Sequence, residues 1–267
     1  MTLDPDKWHV RRGTWFYIFA IITHSIIIYW VINHFTWPAL LAGFIGYLFI
    51  GKLGGDIGFH RFYSHNAFST TPFWEWMMVF CGSLLGYGSS IDWLIMHHAH
   101  HMDTDGKDDP HSPYQQGPWR VYFRVYFNEV KIDRTCIRRV RRAHEDYKQK
   151  FFHENLMKVY MSWAMLSIGL SLTFDSWVPI IGMWVFPVVL TYHTSALVDI
   201  VCHKWGYQTY SHAGNSRNNA WINVLLFGIG MHNNHHGRPH DYDNSGDKWY
   251  EFDTGGFFVK NFMISTK

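Results

Sequence analysis

Nineteen histidines stand among 267 residues, and their spacing says more than their number. His60 and His65 frame HRFYSH, an H-x4-H pair. His97, His100 and His101 lie in HHAHH, and His232, His235 and His236 in HNNHH repeat the same H-x2-HH pattern. His203 stands alone in DIVCHKWGY. On an α-helix, residues at i, i+3 and i+4 share a face, so each H-x2-HH set presents three imidazoles together. His60 and His65, five apart, would stand about 140° apart on a regular helix and can converge only at a helix end or a distortion. Neutral imidazole suits iron, zinc, copper and nickel. The nine histidines exceed what one ion binds; two ions with four or five nitrogens each would use them all. Ordinary surface or packing roles are expected for His9, His24, His34, His144 and His153. His98, off the H-x2-HH pattern, is left out of the metal set as well.

Something must position these rings, and the charge distribution indicates what. No Lys, Arg, Asp or Glu occurs between Arg12 and Lys52. Between Lys158 and Lys204 there is no Lys or Arg, and only Asp175 and Asp199 are acidic. Windows of about 40 residues suit two hairpins of transmembrane helices, since one span needs roughly 20. The expected spans are about 15–33, 38–56, 158–174 and 177–201, the last running on into the aqueous phase. Asp175 and Ser176 form the turn between the last two. Trp15, Trp30, Trp37 and Trp177 lie near predicted ends, as an aromatic belt would place them. Neither predicted outer turn carries Lys or Arg, so the positive-inside rule puts both termini and regions 57–157 and 202–267 in the cytoplasm. The chain reads as one domain over 1–267. The apolar stretch at about 72–88 would put histidines on opposite sides of the membrane if it crossed, so an interfacial helix is expected there. A further amphipathic helix is expected over about Ala220 to Gly230.

Net charge is +2, and no Lys/Arg stripe is interleaved with stacking aromatics, which excludes nucleic acid as a partner. Cys81, Cys136 and Cys202 lack paired spacing and are expected to be free thiols. The polar, mixed-charge start has no signal-peptide pattern. The basic stretch 131–150 fits either anionic lipid headgroups or the docking of an acidic electron carrier.

The stretches GFHRFYSHNAF, IDWLIMHHAHH followed by DPH, VCHKWGYQTY, NSRNN and FGIGMHNNHH closely resemble the membrane fatty-acid desaturases of the Δ9 acyl-CoA and acyl-lipid branch. The likeness covers about Gly54 to Phe252. It implies an all-α integral membrane protein, with four transmembrane helices and a cytosolic helical cap carrying a di-iron histidine site. One iron would take His60, His65, His97, His101 and His235; the other would take His100, His203, His232 and His236. Where the family usually has Asn holding the second iron through a water, this chain has Asp199, a carboxylate able to act through water or bind directly. Trp93 matches a tryptophan lining the bend of the acyl tunnel, and Ser195 lies where a tunnel threonine is common. Lys52 and Asp56 fall where small or neutral residues are usual. They form either an ion pair reaching the interface, or a tunnel-narrowing lysine and a carboxylate that orients a histidine ligand.

The resemblance implies O2-dependent insertion of a C=C bond into a saturated acyl chain, expected at Δ9. An unactivated C–H bond is beyond any ordinary acid or base and requires cofactor chemistry. No fused haem or ferredoxin motif is present, so electrons are expected from a separate ferredoxin or cytochrome b5. The substrate is an acyl-CoA or acyl-lipid, met at the surface of membrane lipids. The alternatives are a fatty-acyl or alkane hydroxylase with the same histidine boxes and, from other classes, a zinc-dependent membrane hydrolase or a non-catalytic metal-binding or transport protein. A zinc hydrolase would want three or four ligands and an open water position.

Overall fold

The computed structural model describes residues 8–9, 13–124, 129–130 and 132–264. The side chain of Trp15, most of the arm before Gly13, Lys131 and residues 265–267 lie outside the described residues, and so do both chain termini. The first helix, α1 (Gly13–Asn33), is followed by a short link, and Pro38 in the next first turn, after extended Thr36, starts α2. Proline suits that position because the first-turn N–H has no helical acceptor. Helix α2 runs over Trp37–Ser64 without a break, eight residues past the expected end at 56. Its α-helical part, Trp37–Tyr47, passes into a π-helix over Leu48–Ser64. That winding answers the spacing problem of HRFYSH. In a π-helix the N–H of residue i+5 bonds the carbonyl of residue i, and the His65 N–H donates to His60 O at 3.2 Å. The two rings stand with centroids 5.1 Å apart.

Helix α3 (Pro72–Ser83) is shorter than the expected 72–88 and too short to span a bilayer. Gly86 and Gly88, at φ 77° and 94°, turn the chain out of the helix, and Ser89 restarts it. The Ser89 hydroxyl accepts the Asp92 N–H while the Asp92 carboxylate accepts the Ser89 N–H, a capping box that opens α4 (Ser90–Met102). Two short helices follow, α5 (Pro118–Arg124) and α6 (Arg134–Glu145), the second capped by Asp133. Helix α7 (Tyr147–Thr173) begins eleven residues before the expected 158, because Asp146 caps it and the polar segment simply continues the helix. Asp175, at φ 46°, makes the turn into α8 (Val178–Lys204). The last turn of α8 extends past the expected 201 and carries His203.

Helix α9 (Ala220–Leu225) stops well short of Gly230, since Phe227 and Gly228 adopt φ 56° and 93°. The last histidine box forms α10 (His232–Gly237), and α11 (Thr254–Phe258) follows near the end. The architecture is all-α, as expected, with one minor strand pairing beside the helices. Among the described residues, β1 (Trp8–His9) pairs antiparallel with β2 (Glu129–Val130), and two isolated bridges join Tyr207, Asn218 and Met231.

Among the described residues, three helices are long and apolar enough to cross a membrane: α2, α7 and α8. In α1 the apolar described stretch is the shorter Tyr17–Asn33. Trp30, Tyr160, Ile181 and Trp184 bury one core among α1, α2, α7 and α8. Helices α2 and α8 meet closely: a Cβ on Gly46 would stand 1.9 Å from the Gly182 carbonyl oxygen. A second core joins the end of α2 to α3 and α11, with Phe59, Met78 and Val259 fully buried.

Candidate metal centre

Four elements deliver the histidines. The π-helical end of α2 supplies His60 and His65, α4 supplies His97, His100 and His101, α8 supplies His203, and α10 supplies the rest. Their ring nitrogens converge in two groups, each within 4.8 Å. His60, His65, His97, His101 and His235 form one; His100, His203, His232 and His236 form the other. Each H-x2-HH set is therefore divided between the groups. In the first, Nε2 of His65 and His97 lie 2.7 Å apart, and Nε2 of His235 lies 3.0 Å from that of both His60 and His101. In the second, Nε2 of His232 lies 2.9 Å from that of His203 and 3.0 Å from that of His236, which is 3.2 Å from that of His100.

In two of these contacts one of the paired Nε2 atoms carries no proton. His100 Nδ1 donates to Asp109 at 2.9 Å, and His203 Nδ1 donates to Asp105 at 2.9 Å. In the neutral ring the proton therefore sits on Nδ1 and leaves Nε2 as a bare lone pair. Burial pushes His65, His97, His101, His232, His235 and His236 well below the usual 6.5, and neighbouring histidines add to the effect, so these rings are neutral donors of lone pairs. Nitrogens bound about 2.0–2.1 Å from one ion and at right angles to each other stand about 3 Å apart. Both the donor chemistry and the spacing fit a metal ion in each group.

The carboxylates come from the loop after α4, and sequence reasoning missed Asp105 and, apart from its place in the DPH match, Asp109. Asp109 is fully buried and accepts His100 Nδ1 and the N–H groups of Asp105 and His111. Burial alone would raise its carboxyl, but His100 and the His111 N–H hold it down at about 2. Asp105, at φ 61°, accepts both His203 Nδ1 and the Ser112 hydroxyl. A legible signal was present, since a metal-bound histidine usually gives its other N–H to a carboxylate. Acidic residues crowd the segment behind HHAHH. Asp109→Asn, which keeps an acceptor but loses the charge, is expected to weaken metal retention about tenfold. Metal content after dialysis against a graded chelator measures this.

Asparagines of the quoted motifs are scaffold. Asn218 Nδ2 donates to Asn234 Oδ1 at 2.7 Å, and Asn233 Oδ1 accepts the N–H groups of Thr209 and Tyr210, which fixes α10 against the chain after α8. Arg61 also went unnoticed. It is 2% exposed, donates to Asp253 at 2.5 and 3.0 Å and to Asp56 at 3.1 Å, and so ties the C-terminal segment to α2 beside His60. Asp56 Oδ1 stands 3.6 Å from His60 Nδ1.

Asp199 lies outside both histidine groups, with its carboxylate 3.7 Å from His111 Nδ1. Trp93, Ser195, Lys52 and Asp199 all line one pocket, which also touches His60, His97, His232 and His235 and encloses about 990 Å³ including its open mouth. Lys52 pairs with Asp56, at 2.6 Å, and is buried in the pocket wall. His98 stands apart from both groups, held between Asp133 and Arg139. The three cysteines are free and buried.

A family model described as fatty acid desaturase matches residues 35–254. Delta-9 acyl-lipid desaturase 2 of Arabidopsis thaliana is 32% identical over 240 residues, covering 86% of this chain and 74% of that protein. The sn-1 stearoyl-lipid 9-desaturase of Anabaena variabilis is 31% identical, covering 87% of this chain and 83% of its own. An acyl-CoA C20 Delta5-desaturase of Anemone leveillei is 29% identical, with 96% and 84% covered. The match runs from the link after α1 to the first residue of α11 and takes in every histidine of both groups, and the chain belongs to the fatty acid desaturase family.

Proposed function

We propose that this protein is an O2-dependent di-iron desaturase that inserts a C=C bond at the Δ9 position of a saturated fatty-acyl chain. One observation carries the reading: two adjoining groups of imidazoles bring their Nε2 atoms together beside a pocket. Iron suits such an all-nitrogen donor set. His60, His65, His97, His101 and His235 would hold one ion, and His100, His203, His232 and His236 the other. Bound there, the irons supply the O2 activation that breaking an unactivated C–H bond requires.

The balance is one saturated –CH2–CH2– unit, O2, two electrons and two protons, giving –CH=CH– and two waters. The chain's own residues do the remaining work. Asp105 and Asp109 keep the protons of His203 and His100 on Nδ1, away from the centre. Asp199, which lines the pocket with His232 of the second group, would act through a water or bind directly and so lower that ion's net charge. Trp93, Ser195 and Lys52 line the acyl tunnel and fix which carbons meet the centre. The Arabidopsis and Anabaena relatives are named for the 9-position, which supports Δ9 here. Relatives named for acyl-lipids and for acyl-CoA both occur, so the carrier is either.

In this reading α1 joins α2, α7 and α8 as a fourth span, and the charge distribution keeps both termini and the histidine-bearing cap cytoplasmic. The irons then lie on the side reached by a separate ferredoxin or cytochrome b5. The basic helix α6 faces either headgroups or that carrier. The test is the fatty-acid profile of a bacterial host expressing the chain with a ferredoxin and its reductase. New monounsaturated chains with the double bond at carbon 9 are expected. Hydroxylated chains in their place would overturn the reading in favour of an oxygenase.

A further inference from the structure

The pocket beside the centre runs between α2 and α8 and is closed at its inner end. A Cβ on Gly51 would meet Tyr47 Cε2 at 2.5 Å and Thr191 Oγ1 at 2.6 Å. One turn further on, a Cβ on Gly46 would stand 1.9 Å from Gly182 O and 2.7 Å from Pro187 Cγ, so the helices touch and leave no passage. Tyr47, Gly51, Lys52 and Thr191 therefore line the blind end.

An alkyl tail needs only apolar walls, yet an ammonium group is built into this wall. Lys52 is 6% exposed. Its Nζ has three N–H donors, and among the described residues the hydrogen bond it makes goes to Asp56 Oδ2, at 2.6 Å. The neighbouring threonine hydroxyls are already committed: Thr191 donates to Pro187 O at 2.7 Å and Thr194 to Thr191 O at 3.1 Å. Lys52 is thus a charged donor with capacity left over. The charges around it balance, since Asp56 is shared between Lys52 and Arg61, and Arg61 also pairs with Asp253. A carboxylate entering here would be an uncompensated charge in a buried site; a neutral acceptor would not.

We infer that the blind end is a polar subsite, in which Lys52 donates to a neutral oxygen (a hydroxyl, keto or ether group) carried on the acyl tail beyond the reacting carbons. This rests on the reading of the pocket as the acyl site. A plain methyl-ended tail leaves donors of a buried ammonium unmet, and sites built to hydrogen-bond a substrate oxygen reject the analogue lacking it.

The experiment pairs saturated fatty acids of equal length, one methyl-ended and one bearing a hydroxyl or keto group near the tail. Each is fed to the host expressing the full chain, and unsaturated products are quantified. In parallel, the unfolding midpoint of the detergent-solubilised protein is read with each fatty acid added. The oxygenated chain is expected to give about tenfold more product and the larger upward shift in midpoint. Lys52→Met, close in length but without donors, is expected to erase both preferences at unchanged metal content. Equal or better use of the plain chain, or a preference that survives Lys52→Met, overturns the subsite. If neither chain is desaturated, the proposed reaction fails, and the midpoint shifts still decide whether Lys52 discriminates between the tails.

Discussion

In the proposed di-iron enzyme, His235→Ala is expected to abolish desaturation and to lower bound iron from about two ions per chain toward one. His235 is the hub of its group: its Nε2 stands 3.0 Å from Nε2 of both His60 and His101. Alanine removes the ligand and opens a gap that water fills, while the four histidines of the other group keep their carboxylate support. Changing the residues behind metal ligands already lowers affinity or activity 10–100-fold, so loss of a ligand should reduce product by roughly 100-fold or more. Elemental analysis of the purified protein and the host's fatty-acid profile measure the two effects. His236→Ala should deplete the other group in the same way. His98→Ala is the control, because His98 sits beside His97 in sequence but bonds Asp133 and Arg139. Iron content that stays at two in His235→Ala would refute the two-group assignment, whatever happens to activity.

Arg61→Met should cost about 3–5 kcal/mol of stability, as removal of one partner from a buried ion pair does. That is a large part of the 5–15 kcal/mol that keeps a typical domain folded. The Asp253 carboxylate is fully buried and would lose a bidentate partner at 2.5 and 3.0 Å. The Tyr242 carbonyl would lose a donor at 2.6 Å. Asp253 also accepts the N–H groups of Asn244 and Gly256, so the segment from Asn244 into α11 would be left around an unpaired charge. The expected result is a fall in folded, monodisperse yield and in the unfolding midpoint. The double variant Arg61→Met/Asp253→Asn, which removes the stranded charge, should recover part of the loss. A single variant as stable as the parent would show that the C-terminal segment is not fastened to α2 in this way.

The residues that carry the chemistry were legible because imidazole is scarce in most chains and its useful spacings are few. HHAHH and HNNHH put three rings on one helical face whatever the surroundings, and windows poor in charge mark the apolar parts of α2 and α8 because charges are costly in lipid. Local rules failed where one backbone angle outweighed hydrophobicity. Gly86 and Gly88 end α3 early, and Phe227 with Gly228 ends α9, although apolar residues continue past both. The π-helical winding of α2 was visible only as a problem, a histidine pair with the wrong spacing for a regular helix.

The sequence by itself determined that this chain has a multi-histidine centre, long apolar helices and an acyl-oxidising family, since each depends on residue type and short-range periodicity. Tertiary structure alone decided which nitrogens converge, splitting each H-x2-HH set between two groups. It also decided that Asp105, 98 residues from His203, supports that ring, and that Arg61 finds Asp253 192 residues away. The pocket wall in which Lys52 faces residues of α8 is a product of the same packing. These contacts follow from how helices pack across the chain, and no repeat of 3.6 residues encodes which distant partner a buried charge will meet.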